Sequence, residues 1–120
     1  MTDDLNGGIQ LTLPMPPSLN RYWRKFRNRM VISEAGLVFR AETHAICQNA
    51  GITPLQGRIT VTVKVYRPAN RGDLDNSLKA ILDALNQRAY RDDSQIDELH
   101  AYKFLDRKNP RVEVEVRELL

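Results

Sequence analysis

Residues 58–68, RITVTVKVYRP, constrain the fold more than any other stretch, because Ile59, Val61, Val63 and Val65 alternate with Thr60, Thr62, Lys64 and Tyr66. A period of two sends one set to each face of a strand, so the segment predicts a half-buried β-strand that Pro68 closes. Directly after a short loop through Asn70 and Gly72 the period changes. Leu78, Ile81, Leu82 and Leu85 recur three and four apart, the stripe of an amphipathic helix. A strand that feeds such a helix calls for a sheet with the helix laid on it.

The remaining segments extend that sheet. Ile9, Leu11 and Leu13 share one face of a strand over Gly8–Leu13, which Pro14, Pro16 and Pro17 stop. Ser33 is a suitable N-cap for a helix over Glu34–Asn49, with Leu37, Val38, Ala41 and Ala45 as its core stripe and Gly51 and Pro54 ending it. Phe39 and Ile46 fall on the other side of that helix and hint at a second buried surface, such as a dimer contact. The stretch SLNRYWRKFRNRM has no clean period and reads as a loop. Asp97–Leu105 and Arg111–Glu118 read as two strands around the turn DRKNPR. The expectation is an α+β fold, a single domain over residues 1–120, with a mixed sheet, helices on one face, and the order β-α-β-α-β-β.

Composition narrows the setting. Cys47 is the only cysteine, which excludes an intrachain disulfide and a Cys-rich metal site. The start, MTDDLNGG, is acidic and polar where a secretory signal is basic and then apolar, and no apolar run approaches membrane-spanning length. A cytoplasmic protein without membrane contact is expected. His44 and His100 have no partners at spacings that suggest nucleophilic catalysis.

Charge is distributed unevenly. There are 18 Lys+Arg against 15 Asp+Glu, yet no acid lies between Leu5 and Ser33, where Arg21, Arg24, Lys25, Arg27 and Arg29 crowd together. The chain uses 13 Arg and 5 Lys, and arginine grips phosphate bidentately where lysine offers a point charge. With Tyr22, Trp23 and Phe26 interleaved, this arm suits phosphate pairing and base stacking. The plainer alternative is a solvated loop pinned by its aromatics.

The run RGDLDNSLKAILDAL places Asp73 and Asp75 at the mouth of the second helix, and Asp92 and Asp93 return after it. An Asp at a helix start is commonly a cap, and Asp75, Lys79 and Asp83, four apart, suit a surface ion-pair ladder. Two carboxylates exceed what a cap needs, however, and the second pair precedes the next strand, from which it could return to the same sheet edge. Hard oxygen ligands without His or Cys suit Mg²⁺, with Mn²⁺ as a substitute. Such an ion supports attack on a phosphodiester, with Lys79 placed to steady the phosphoryl charge.

The segments LPMPPSLNRYWR, RGDLDNSLKAILDAL and YRDDSQI resemble, in that order and at matching separations, the RusA family of Holliday junction resolvases. These are small homodimeric Mg²⁺-dependent endonucleases often encoded by phages and prophages. The resemblance implies Asp73, Asp75 and Asp93 as catalytic metal ligands, Lys79 as the essential lysine, and Asp92 as a neighbour. Family members often carry a basic residue where this chain has Gly72, and Arg71 is expected to take that contact. Implied too are a four-way DNA junction as substrate, paired symmetric cuts leaving 5′-phosphates, and arms formed by Arg21, Arg24, Lys25, Arg27 and Arg29. The alternatives are a less selective Mg²⁺ nuclease acting on flaps or RNA, and a non-catalytic nucleic-acid-binding module.

Overall fold

A computed structural model describes residues 8–70 and 73–119. Strand β4 (Ile59–Arg67) lies inside a four-stranded sheet of order β1-β6-β4-β5, with β1 at Ile9–Leu13, β5 at Ile96–Leu105 and β6 at Arg111–Glu118. Strand β4 runs antiparallel to β6 and parallel to β5, and β1 is antiparallel to β6, so the sheet is mixed. The alternation read from β4 sets the core. Ile59, Val61, Val63 and Val65 are wholly buried and share a face with Val112, Val114 and Val116 of β6 and with Ile9, Leu11 and Leu13 of β1. Helix α3 (Leu74–Leu85) buries Ala80, Ile81, Ala84 and Leu85 among these residues, and Leu78 and Leu82 pack at the margin. The α+β architecture and element order match the sequence expectation.

Helix α2 (Glu34–Asn49) has the predicted bounds and cap: Ser33 is extended, and its hydroxyl accepts a 3.0 Å hydrogen bond from the Gly36 amide. The predicted core stripe is reversed. Leu37 and Val38 are half exposed, and the buried positions are Gly36, Phe39, Thr43 and Cys47, with Ile46 packed beside them. These too are spaced three and four apart, but glycine, threonine and cysteine carry little apolar signal, which hid the true face. Phe39 and Ile46 therefore face the protein's own core and are not the second surface that the sequence suggested.

One further expectation is corrected. The loop over residues 18–30 is a short helix α1 (Leu19–Tyr22) followed by an antiparallel hairpin of β2 (Trp23–Phe26) and β3 (Arg29–Ile32). Arg27 and Asn28, with φ of 52° and 64°, take the left-handed conformation that two-residue hairpin turns favour. An Arg-Asn pair lacks the glycine that marks such turns in a sequence. Strands β5 and β6 form on either side of the DRKNPR turn as expected, but they are not neighbours in the sheet, since β4 lies between them and the turn after Asp106 carries the chain past its end. The Asp106 carboxylate accepts hydrogen bonds from the amides of Lys108 and Asn109 and pairs with Arg111 at 3.0 Å, which closes that turn.

Gly36 lets α2 approach the base of the hairpin. A Cβ there would lie 2.6 Å from the Tyr22 carbonyl oxygen and 2.7 Å from Ile32 Cγ1, and the first of these is backbone that cannot swing aside. Gly36→Ala is therefore expected to destabilise the fold by about 1–3 kcal/mol through overpacking, despite alanine's better helix propensity. Urea denaturation measures this, and unchanged stability would show that the contact yields freely.

Candidate catalytic site and cationic arm

Asp73 occupies the N-cap position of α3, with extended backbone, yet its side chain makes no capping hydrogen bond. The capping role that a helix-start aspartate ordinarily fills is thus not what this carboxylate does here. Asp75 sits in the first turn and Lys79 one turn later, both exposed. Among the described residues no ion pair joins Asp75, Lys79 and Asp83, so the ladder their spacing allows does not form. Two carboxylates and one ammonium are left facing solvent along one flank of the helix.

Asp83 is engaged elsewhere. Its carboxylate accepts hydrogen bonds from the Tyr22 hydroxyl and from Arg40 of α2, the latter at 2.7 Å. Tyr22 is wholly buried, and burial together with the Asp83 carboxylate pushes its pKa up to about 12. It is thus a core residue that fastens the base of the hairpin to α3, and it is unavailable to stack on a base. Trp23 meets it edge-on at 5.1 Å. Beyond this anchor, Arg21, Arg24, Lys25, Arg27 and Arg29 are all exposed. The guanidiniums of Arg24 and Arg27 lie 5.3 and 5.2 Å from the centre of the Phe26 ring, which is itself 43% exposed. Arg71, proposed for the same role, lies outside the described residues. The sequence did not single out Arg40, whose function depends on a contact 43 residues away.

The second acidic pair divides its work. Asp92 caps the 3₁₀ turn Asp93–Gln95: its side chain accepts a 2.9 Å bond from the Ser94 amide, and the Gln95 side chain returns to the Asp92 amide at 2.8 Å. The bonds from Ser94 hold the Asp92 carboxyl below the usual carboxylate range. Gln95 also donates to the carbonyls of Leu55 and Gly57, clipping the turn to the segment before β4. Asp93 is exposed and takes no part in the capping bonds.

The two pairs do not meet within one chain. Strand β5 runs parallel to β4 with Ile59 beside Ile96 and Arg67 beside Leu105, so Asp93 stands at the starting end of these strands and Asp73 beyond their finishing end. The twelve residues of α3 separate them, about 18 Å at ~1.5 Å per residue. Among the described residues no three His, Cys, Asp or Glu side chains group closely enough to hold a metal ion. A surface concavity lined by Thr62, Lys64, Glu113 and Glu115 is no substitute, lying on the sheet face opposite α3.

Two outcomes follow for the acids and their anchor. Asp92→Ala is expected to lower Tm, and most of all near neutral pH. The cap of a carboxyl held below its free pKa acts above the ordinary carboxylate range and fades as pH falls through the lowered value. Asp93→Asn is expected to leave Tm unchanged, as scanning calorimetry will measure. Tyr22→Phe, which leaves Asp83 only Arg40, is expected to cost about 1–2 kcal/mol in urea denaturation.

A family model described as Endodeoxyribonuclease RusA matches residues 14–117. A protein of Enterobacteria phage HK97 named crossover junction endodeoxyribonuclease rusA is 33% identical over 113 residues, covering 92% of this chain and 94% of its own. The proteins of that name from Shigella sonnei and Escherichia coli K12 are 35% and 34% identical over 112 residues, each covering 91% of this chain and 93% of theirs. The span of the family match and the near full-length similarity establish that this chain belongs to the RusA endodeoxyribonuclease family.

Proposed function

We propose that the protein is a structure-selective endonuclease that resolves four-way DNA junctions by paired symmetric cuts, working as a homodimer in the cytoplasm with Mg²⁺ as cofactor and Mn²⁺ as a substitute. The observation that carries this reading is that Asp73, Asp75 and Lys79 stand unpartnered among the described residues on a helix whose third turn anchors the cationic hairpin. Exposed charges at a helix mouth contribute little to stability, and beside a phosphate-binding arm they suit hydrolysis of a phosphodiester. The names of the relatives supply the substrate class.

In this reading Asp73, Asp75 and Asp93 are the carboxylates for the divalent ion. One protomer does not gather them, and no step of the hydrolysis is assigned to an ion held by a single chain. Lys79, one turn above Asp75, approaches the scissile phosphate and steadies charge on its oxygens, an effect worth ~10²–10³ in rate where such a donor is removed. Arg21, Arg24, Lys25, Arg27 and Arg29 hold the flanking backbone, with Arg71 beside the first acid. The Tyr22–Asp83–Arg40 contact fixes the distance between arm and helix, so phosphates bound by one are presented to the other. Two sites related by a two-fold axis cut opposed strands, leaving 5′-phosphates and ligatable nicks.

The test is cleavage of a synthetic four-way junction beside duplex, flap and RNA substrates, with and without Mg²⁺. Junction cutting that needs Mg²⁺ is expected, with losses of about 100-fold or more in Asp75→Asn and Lys79→Ala and retained binding in both. Unimpaired cutting by either variant would remove the assigned role, and equal cutting of flaps or RNA would favour the less selective nuclease. Replacing Arg24 and Arg27 with alanine is expected to lower the salt dependence of junction binding by about two phosphate contacts.

A further inference from the structure

We propose that the sheet face opposite α3 carries a further DNA contact, a platform of Tyr66, Tyr102 and Phe104 on which unpaired bases of a single strand stack. It goes beyond the nuclease reading above and uses neither its acids nor its hairpin.

The register of the sheet builds the platform. Tyr66 of β4 lies beside Arg111 of β6 on one side and Phe104 of β5 on the other, so the three form one row on the face turned away from the core. The Tyr66 and Phe104 rings stack with centres 5.0 Å apart and planes at 22°. Tyr102, two residues earlier on β5, lies nearly parallel to Phe104 at 6.5 Å. The Arg111 guanidinium sits 3.9 Å from the centre of the Tyr66 ring and is itself pinned by Asp106 and Glu113, both at 3.0 Å. The other end of the row is open, because β5 is an edge strand on which Tyr102 is 47% and Phe104 42% exposed.

Sheet stability explains only part of this. A cross-strand aromatic pair steadies a sheet by itself, and Tyr66 with Phe104 is such a pair. Tyr102 is not, since its cross-strand neighbour is Lys64, and it leaves another ring half in water.

Charge selects the occupant. Lys64 stands beside Tyr102, and Arg107 and Lys108 follow in the turn just past β5. All three are exposed, and among the described residues none forms an ion pair. The two acids beside the row are already bound to Arg111. Rings bordered by free cations match a single strand, whose bases stack while its phosphates are neutralised. A folded protein partner is a poorer match. Stable protein interfaces cover about 800 Å² per partner around an apolar centre, whereas this face turns polar beyond the rings, at Thr60, Thr62, Gln10 and Thr12. The row also stands at the finishing end of β4, from which the chain leads to Asp73, so a strand lying on it passes close to the sheet end that carries that acid.

Fluorescence anisotropy without divalent ion tests this, comparing a short labelled oligothymidylate with an abasic strand of the same length. Wild type is expected to bind the oligothymidylate about tenfold or more tightly, and the double variant Tyr102→Leu with Phe104→Leu, which keeps apolar side chains but removes two rings, is expected to lose that preference. Equal affinity of wild type for the two strands, or a folded variant that keeps the preference, would overturn the proposal. So would a variant that alters sedimentation while binding the strand as wild type does, since the face would then be an interface between copies.

A measurement on wild type alone guards against a variant that fails to fold. A single strand carrying iododeoxyuridine is irradiated on the protein and the adducts are mapped by mass spectrometry. Crosslinks at Tyr66, Tyr102 or Phe104 are expected, and adducts confined to the hairpin, or none, would count against the platform. With no divalent ion present, these outcomes hold whether or not the protein cuts junctions.

Discussion

Because β4 and β5 run parallel, the chain must cross the full length of the sheet between them, and α3 is that crossing. Its apolar stripe packs on the buried valines of β4, and its polar flank is left to solvent. The same helix therefore holds the core together and carries Asp73, Asp75 and Lys79. Sheet and site cannot be varied independently, since any shift of α3 along β4 moves these side chains with it.

Asp83 extends that dependence to the rest of the molecule. One carboxylate bonds the buried Tyr22 hydroxyl and the Arg40 guanidinium, and so joins hairpin, α2 and α3 at one point. Charge-assisted bonds of this kind are short and directional. The arm thereby gains a fixed root while its tip stays in solvent. Gly36 allows the close approach that this junction requires, because a side chain there would strike the backbone of Tyr22.

How far the sequence could be read follows from how local each determinant is. The alternation through β4, the stripe of α3 and the Ser33 cap depend on neighbours within a few residues, and the structure has them where the pattern indicated. The core face of α2 and the role of Tyr22 depend on contacts distant in sequence. Patterning misassigned Leu37 and Val38 to the core and left Tyr22 open between stacking on a base and pinning the loop. The strand order was also beyond reach, because nothing between Leu105 and Arg111 shows that β6 passes over β4 to reach its place. For the acids, spacing drew attention to both pairs, and only the fold separates the capping work of Asp92 from the exposed carboxylate of Asp93. Only it reveals how far apart the two pairs lie.

Phe26 has a consequence of its own. With two guanidiniums already over its ring, it stores cations beside an aromatic surface before any nucleic acid arrives. If the hairpin binds DNA as proposed, a nucleobase settling on that ring displaces an arginine, which is then free to reach a neighbouring phosphate. On that proposal, stacking and backbone capture at the hairpin tip are one exchange of partners rather than two separate events.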